Sequence, residues 1–321
     1  MTNRVLRHIS LVATAAAIAL GVACRQVPRD NAPVVLATFS RAIDYSPFYV
    51  AKYFKWFEGE PALRGRQVNY REFDDRSLID AAIDRNELTA IFAAEPPVII
   101  TRNTGRRLRI VEVSCTLQQE IVTEISRGIL DVSGLRGKRV AVLQTTSSEY
   151  GLRQALIQSA IDTTALEIVY MGPSEAKAAF EQRQIDAWAV WPPFVEEQVI
   201  SGRGRAVRGG DAVIQSVMAI PDNVLTKQAE ASAAIVEVIR RAKNWIMANP
   251  EEAQRIVSTE LDLPPAVVRL AWSKHQWGAR LDDAVIIDIQ NKANFLRSAG
   301  VIKDSIVVRR DLLVDTTSRL R

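Results

Sequence analysis

The sequence predicts an α/β protein, a layered sandwich with a largely parallel sheet. Three observations carry this. Short β-branched apolar runs alternate with helical patterns along most of the chain, and each run ends in a small or polar turn that leads into a helix. The 321 residues also suffice for about two domains of ordinary size. Ligands of such sheets gather beyond the carboxyl ends of the strands.

The chain begins differently. Arg4, Arg7 and His8 precede an apolar run over 9–23 that ends Gly-Val-Ala and is followed by Cys24. A charged start, a hydrophobic segment too short to span a bilayer comfortably, and small residues before a cleavage point read as a signal peptide over 1–23. The mature chain is expected outside the cytoplasm.

After a polar linker over 25–33, the patterns predict strands at 34–38, 68–73, 88–92 and 109–113, with helices at 48–57 and 78–85 between them. Pro96 and Pro97 open another helix to 104. A short alternating strand at 121–126 leads to a second α/β unit with strands at 139–143, 166–170 and 187–190. Residues 216–220 read as a strand, and beyond them the chain turns almost wholly helical. The helix at 228–247 carries Ala234, Ile235, Val238, Ile239, Ala242, Trp245 and Ile246 on one face and stops at Asn249-Pro250. Helices at 264–272 and 284–296 follow, the latter closed by Gly300. Crossings near 113–117 and 209–219 would make one domain discontinuous, 33–114 plus 218–321, around a second at 115–217.

Two stretches stand out for chemistry. In GKRVAVLQTTSSEY, 137–150, a strand runs into a turn bearing Thr145, Thr146, Ser147 and Ser148 and then into a helix. Hydroxyls there either cap the helix or complete a cradle of unpaired N–H groups for an anionic or polar ligand. In IDAWAVWPPF, 185–194, a strand ends in Trp191 and a proline pair. One of Trp188 and Trp191 is expected to reach a cleft, and Asp186 would oppose an anion if it faced the site unpaired. Two further strand-to-helix turns, Asp44-Tyr45-Ser46-Pro47 and Ala93-Ala94-Glu95-Pro96, read either as plain caps or as further contacts.

These motifs in this order, with the Gly-rich turn at Gly202 and Gly204, FYVAKYFKWF at 48–57 and AKNWIMANPEEA at 242–253, resemble the periplasmic solute-binding proteins of the nitrate, sulfonate and taurine ABC importers, the NMT1/THI5-like family. The resemblance implies a type II periplasmic-binding-protein fold, two α/β domains around a ligand cleft. It implies a monomer that binds a small anion such as a sulfonate or nitrate and hands it to an ABC permease. It places ligand contacts in the first-domain turns, at Tyr45, Ser46, Ala94 and Glu95, and the candidate contacts of the second domain are Thr145 to Ser148, Asp186, Trp188 and Trp191. Lys55 departs from the family's usual glycine, and Ala93-Ala94 from its usual Gly or Ser. Cys24 resembles a lipoprotein box, though with Gly21 where Leu is usual. Lipidation would tether the protein to a membrane; simple cleavage after Ala23 is the alternative. Rival readings are a binder of a neutral heterocycle, such as a thiamine-precursor pyrimidine, and a menaquinone-pathway type of enzyme on the same fold.

Enzymatic machinery is not visible. The only histidines, His8 and His275, have no metal-ligand spacing, and there is no G-x-S-x-G, P-loop or G-x-G-x-x-G motif. Cys115 reads as a small core residue. No cofactor and no metal is expected. The formal charge of +4 falls to +2 once Arg4 and Arg7 leave with the signal. The arginines at 102, 106, 107 and 109 lack interleaved aromatics, so nucleic acid is not expected as a partner.

Overall fold

Residues 32–314 are described by the computed structural model; the expected signal segment and Cys24 lie outside the described residues. In chain order the strands are β1 (Val34–Phe39), β2 (Val68–Phe73), β3 (Ala90–Ala94), β4 (Leu108–Glu124), β5 (Arg139–Val142), β6 (Glu167–Tyr170), β7 (Ala187–Val190), β8 (Gly204–Ala206), β9 (Ala212–Pro221) and β10 (His275–Gln276). They hydrogen-bond into one sheet in the order β2-β1-β3-β9-β4-β7-β5-β6, with β8 and β10 also pairing β4.

The sheet has two parallel groups, β2-β1-β3 and β7-β5-β6, joined by antiparallel β9 and β4. Each group is built alike. Its first strand is central, the chain crosses to one side for the second strand, and it returns past the first to place the third. Strand order therefore reverses between β1 and β3, and again between β5 and β7, which are the places where an open α/β sheet leaves a crevice at its strand ends.

Helices cover the faces as their apolar stripes require. The helix Ala229–Ala248 buries Ile235, Val238, Ile239, Ala242 and Ile246, the stripe that its 3.6-residue periodicity predicts. The single helix expected at 48–57 divides into Ser46–Tyr53 and Trp56–Gly59. Lys55 between them adopts a left-handed φ of 54°, a conformation that glycine enters at less cost. The separate strands expected at 109–113 and 121–126 are the two ends of the 17-residue β4. Its first part pairs β9 and its last part pairs β7 and β8. Its pairing with β9 is interrupted by register shifts at Ile110/Glu112 and Val113/Cys115, as β-bulges produce.

Candidate functional site

The turns after β1, β3, β5 and β7 meet around one cleft. Phe39, Ala42, Asp44 and Tyr45 line it from the β1 turn, Ala94 and Pro97 from the β3 turn, Thr146 and Ser147 from the β5 turn, Trp191 from the end of β7, and Gln119 from β4. Phe39 and Trp191 face each other with ring centroids 6.1 Å apart. The walls lie close, leaving a cavity of about 10 Å³, room for roughly one water.

The β5 turn leads into the helix Ser147–Gln158. Thr146 is its N-cap, with Oγ1 accepting from the Glu149 N–H at 3.5 Å and donating to the Leu143 carbonyl at 2.6 Å. Glu149 reaches back to accept from the Thr145 N–H at 2.6 Å, so the turn is a reciprocal capping arrangement. Thr145 takes a left-handed φ of 60°, and its hydroxyl accepts from Arg76 Nε at 3.3 Å. The Ser147 hydroxyl accepts from Gln119 Nε2 at 2.7 Å, and the Ser148 hydroxyl donates to Gln119 Oε1 at 3.3 Å. Ser147 and Ser148 begin the helix, so their N–H groups have no intrahelical acceptor and stand at its positive end.

The opposite wall has a different chemistry. The helix Glu95–Asn103 starts at the cleft, but Pro96 and Pro97 remove two of its terminal N–H donors. Asp44 is buried at 4% exposure. Burial pushes its carboxyl up to about 7; the nearby Ser216 hydroxyl and its own N–H moderate the rise, and the Glu95 charge adds to it. No lysine or arginine is among the lining residues.

The predicted contacts therefore divide. Tyr45, Ala94, Thr146, Ser147 and Trp191 line the cleft, and Thr145 and Ser148 stand behind it. Trp191 is 5% exposed, and its Nε1 has no hydrogen-bond partner among the described residues. The other four predicted contacts are absent from the lining of the cleft. Asp186 stands at the other end of β7, bonded to the Arg139 N–H at 2.9 Å and paired with Arg127 at 3.2 Å. Its position removes the conflict with an anion that the sequence raised. Trp188 is core, packed between Phe180 and Phe194. The Glu95 carboxylate, with no exposed surface, is turned away to Lys292 and the Gln215 N–H. Ser46 is fully buried, and its hydroxyl donates to the Ile43 carbonyl at 2.6 Å.

Sequence reasoning missed Gln119, Phe39, Ala42 and Pro97, and passed over Asp44 inside a turn that it had singled out. Gln119 had a signal: Cys115, Leu117, Gln119 and Ile121 alternate as the buried positions of β4, and an amide on that face needs a partner.

Burial holds the Cys115 thiol well above its usual range. The His275 imidazole is pushed down to about 4 by burial, with Nδ1 donating to the Ala271 carbonyl and the ring stacked on Trp277. Among the described residues no group of three His, Cys, Asp or Glu is placed to hold a metal.

Comparison with known proteins agrees with this architecture. A "Putative aliphatic sulfonates-binding protein" of Bacillus subtilis (strain 168) is 25% identical over 228 residues, 70% of this chain and 69% of the relative. A protein of the same description from Escherichia coli (strain K12) is 34% identical over 88 residues, only 27% of this chain and 28% of the relative. The solved alkanesulfonate-binding protein SsuA from Xanthomonas axonopodis pv. citri, bound to MOPS, superposes with a TM-score of 0.75 at 17% identity, covering 88% of this chain and 98% of that one. The fold is thus the α/β architecture of the periplasmic binding proteins. Residues 42–253 match the family model described as NMT1/THI5 like, and the chain belongs to that family.

Proposed function

We propose that the chain is the extracytoplasmic solute-binding protein of an ABC importer, not an enzyme, and that the cleft captures a small sulfonate or related anion such as nitrate. One observation carries the reading: the N-terminus of the helix Ser147–Gln158 and the unpartnered Trp191 Nε1 converge on a buried crevice. Such a constellation suits the oxygens of an anion, which accept hydrogen bonds and favour the positive helix end. The names of the sulfonate-binding relatives support the same choice.

The remaining roles follow as part of the proposal. Residues 33–114 plus 218–321 and residues 115–217 act as two lobes, linked by β4 and β9, that close over the solute. The bond from Arg76 to Thr145 and the Phe39–Trp191 contact would form on closure and break on release. Cys24 carries lipid and tethers a monomer at the outer face of the cytoplasmic membrane, where it meets its permease. Among the described residues no helix is long and apolar enough to cross a membrane.

A second reading, a neutral heterocycle, draws on the facing Phe39 and Trp191 rings and on the lack of a lysine or arginine in the lining. The deciding experiment identifies by mass spectrometry whatever co-purifies with the protein. Ethanesulfonate, nitrate and an aminopyrimidine are then titrated calorimetrically. Binding of the aminopyrimidine alone would replace the first reading with the second, and silence towards all three would overturn both.

A further inference from the structure

The first two helices meet in an aromatic surface that the cleft does not use. Tyr53 and Phe54 are 44% and 37% exposed, and Trp56 and Trp245 are half-buried beside them. Lys55, left-handed between the helices Ser46–Tyr53 and Trp56–Gly59, reverses the chain so that side chains two apart in sequence stack. The Phe54 and Trp56 rings lie 5.1 Å apart and 16° from parallel. Trp245, from the helix Ala229–Ala248, meets them edge-on at 5.0 and 6.3 Å, and Tyr53 meets Phe54 at 5.1 Å. The four rings form one contiguous patch, which marks an interaction surface where single exposed side chains would not.

Charge and chain entry select the occupant. Around the rings Glu60 is paired with Arg241, which lies over Trp56, Glu260 with Lys52, and Glu252 with Arg255; Glu58 accepts from the Tyr70 hydroxyl. Among the described residues the exposed Lys55 ammonium has no ion pair, so the tip of the turn carries an uncompensated positive charge. The Ala32 carbonyl, where the described chain starts, accepts from Arg66 Nε at 2.7 Å, and the same guanidinium donates to Gln228 at 2.7 Å. Gln228 caps the helix that bears Trp245, and from one to the other is about 25 Å along that helix. Residues 24–31 span up to about 28 Å when extended. A lipid on Cys24 and the aromatic patch can therefore reach one surface together.

Resting on the membrane-tethered reading above, we propose that Tyr53, Phe54, Lys55 and Trp56, backed by Trp245, form a docking patch that seats the protein on an anionic lipid surface. The rings enter the headgroup region, where amphipathic aromatics are favoured, and the Lys55 ammonium meets lipid phosphates. A lipid at the end of a linker holds the protein near the membrane but leaves its orientation free; the patch fixes the orientation. The helix Ser46–Tyr53 starts next to Tyr45 of the cleft lining and carries the patch about 12 Å away along its axis, so the seated protein keeps its cleft open to solute. A left-handed lysine between two aromatic residues, costly for the fold alone, has a use in this arrangement.

The test uses the full mature chain with Cys24→Ala, so that docking by the patch is measured apart from any lipid. Co-sedimentation is followed with vesicles of phosphatidylglycerol and phosphatidylcholine in equal parts, and with phosphatidylcholine alone. The chain is expected to bind the anionic vesicles more tightly and to be released by salt. Phe54→Ser should weaken binding by about tenfold, the scale of one buried apolar side chain. Lys55→Gly, which suits the left-handed backbone, should weaken it by about fivefold, the weight of one cation near an anionic surface. Ile157→Ser, which removes a 61% exposed side chain from the helix Ser147–Gln158, should change nothing. Absence of binding, or binding that Phe54→Ser and Lys55→Gly leave intact, overturns the patch and leaves the lipid anchor, which palmitate labelling tests separately, standing. Ultracentrifugation without vesicles that shows a dimer in the parent chain and a monomer in Phe54→Ser assigns the face to a second copy and overturns the proposal as well. If Phe54→Ser does not fold, Lys55→Gly and the salt dependence decide.

Discussion

Removing the ammonium of Lys292 should destabilise the protein in a way that acid partly repairs. Lys292, 2% exposed, pairs with the fully buried Glu95 and with Asp288, whose side chain is 36% exposed. In Lys292→Met, Asp288 keeps access to water and its bond from Gln215 Nε2 at 3.0 Å. Glu95 keeps only the Gln215 N–H at 2.9 Å. Leaving one partner of a buried pair uncompensated costs about 3–5 kcal/mol. At about 2 °C per kcal/mol for a chain of this size, the midpoint should fall by roughly 6–10 °C near neutral pH. The sign of the pH effect follows from Glu95. Burial already raises its pKa against the opposing pull of Lys292, and losing that pull raises it further. A carboxyl whose pKa is higher folded than unfolded contributes most below its unfolded value and loses that contribution as pH rises towards the folded one. The deficit should therefore be largest at pH 8 and clearly smaller at pH 5. Thermal melts of both proteins at the two pH values measure it. A deficit that is absent at pH 8, or unchanged at pH 5, would show that the pair does not govern Glu95 and would refute the argument. Glu95→Gln, which removes the charge but does not touch the cleft, should leave ligand affinity unchanged.

The remaining expectations divide cleft from scaffold. Trp191→Phe should weaken ligand binding by roughly tenfold through loss of the Nε1 donor, whereas Trp188→Phe should lower the melting midpoint and keep affinity; titration and melts of both decide, and the reverse pattern would exchange their roles. Thr146→Ala should cost about 1 kcal/mol of stability as a lost cap, while Ser147→Ala, which frees Gln119, should cost affinity with little change in stability. Labelled palmitate should enter the full chain and not its Cys24→Ala variant, and equal labelling of the two would remove the proposed lipid anchor.

Much of the fold was legible because its signals are local. The turn after β5 could be placed from four hydroxyls between a β-branched run and a helical one, and the helix Ala229–Ala248 from a stripe that any amphipathic helix must bury. The β4 strand was not legible as one piece. Glu112, Gln118, Gln119 and Glu120 interrupt its apolar pattern, and what makes them tolerable is remote in sequence. Glu112 meets Lys243 at 3.0 Å, and Gln119 meets Ser147 at 2.7 Å. Continuity of that strand is a property of its partners.

The same distinction explains the site. Trp188 and Val190 share one face of β7 and Ala187 and Ala189 the other, but a face runs the length of a strand and a cleft occupies only one end of it. The end is fixed by direction: parallel strands carry their ligand turns at the carboxyl terminus, so Trp191 reaches the cleft while Asp186 sits at the far end with Arg127 and the Arg139 N–H. Glu95 stands at the correct end and still turns away, because Lys292, 197 residues further along the chain, offers its buried carboxylate a counter-charge. Among the described residues no lysine or arginine pairs with Asp44, at the corresponding turn after β1, and it lines the cleft. Two acids in equivalent turns are thus sorted into scaffold and candidate contact by one distant lysine, and no local reading of either turn contains that lysine.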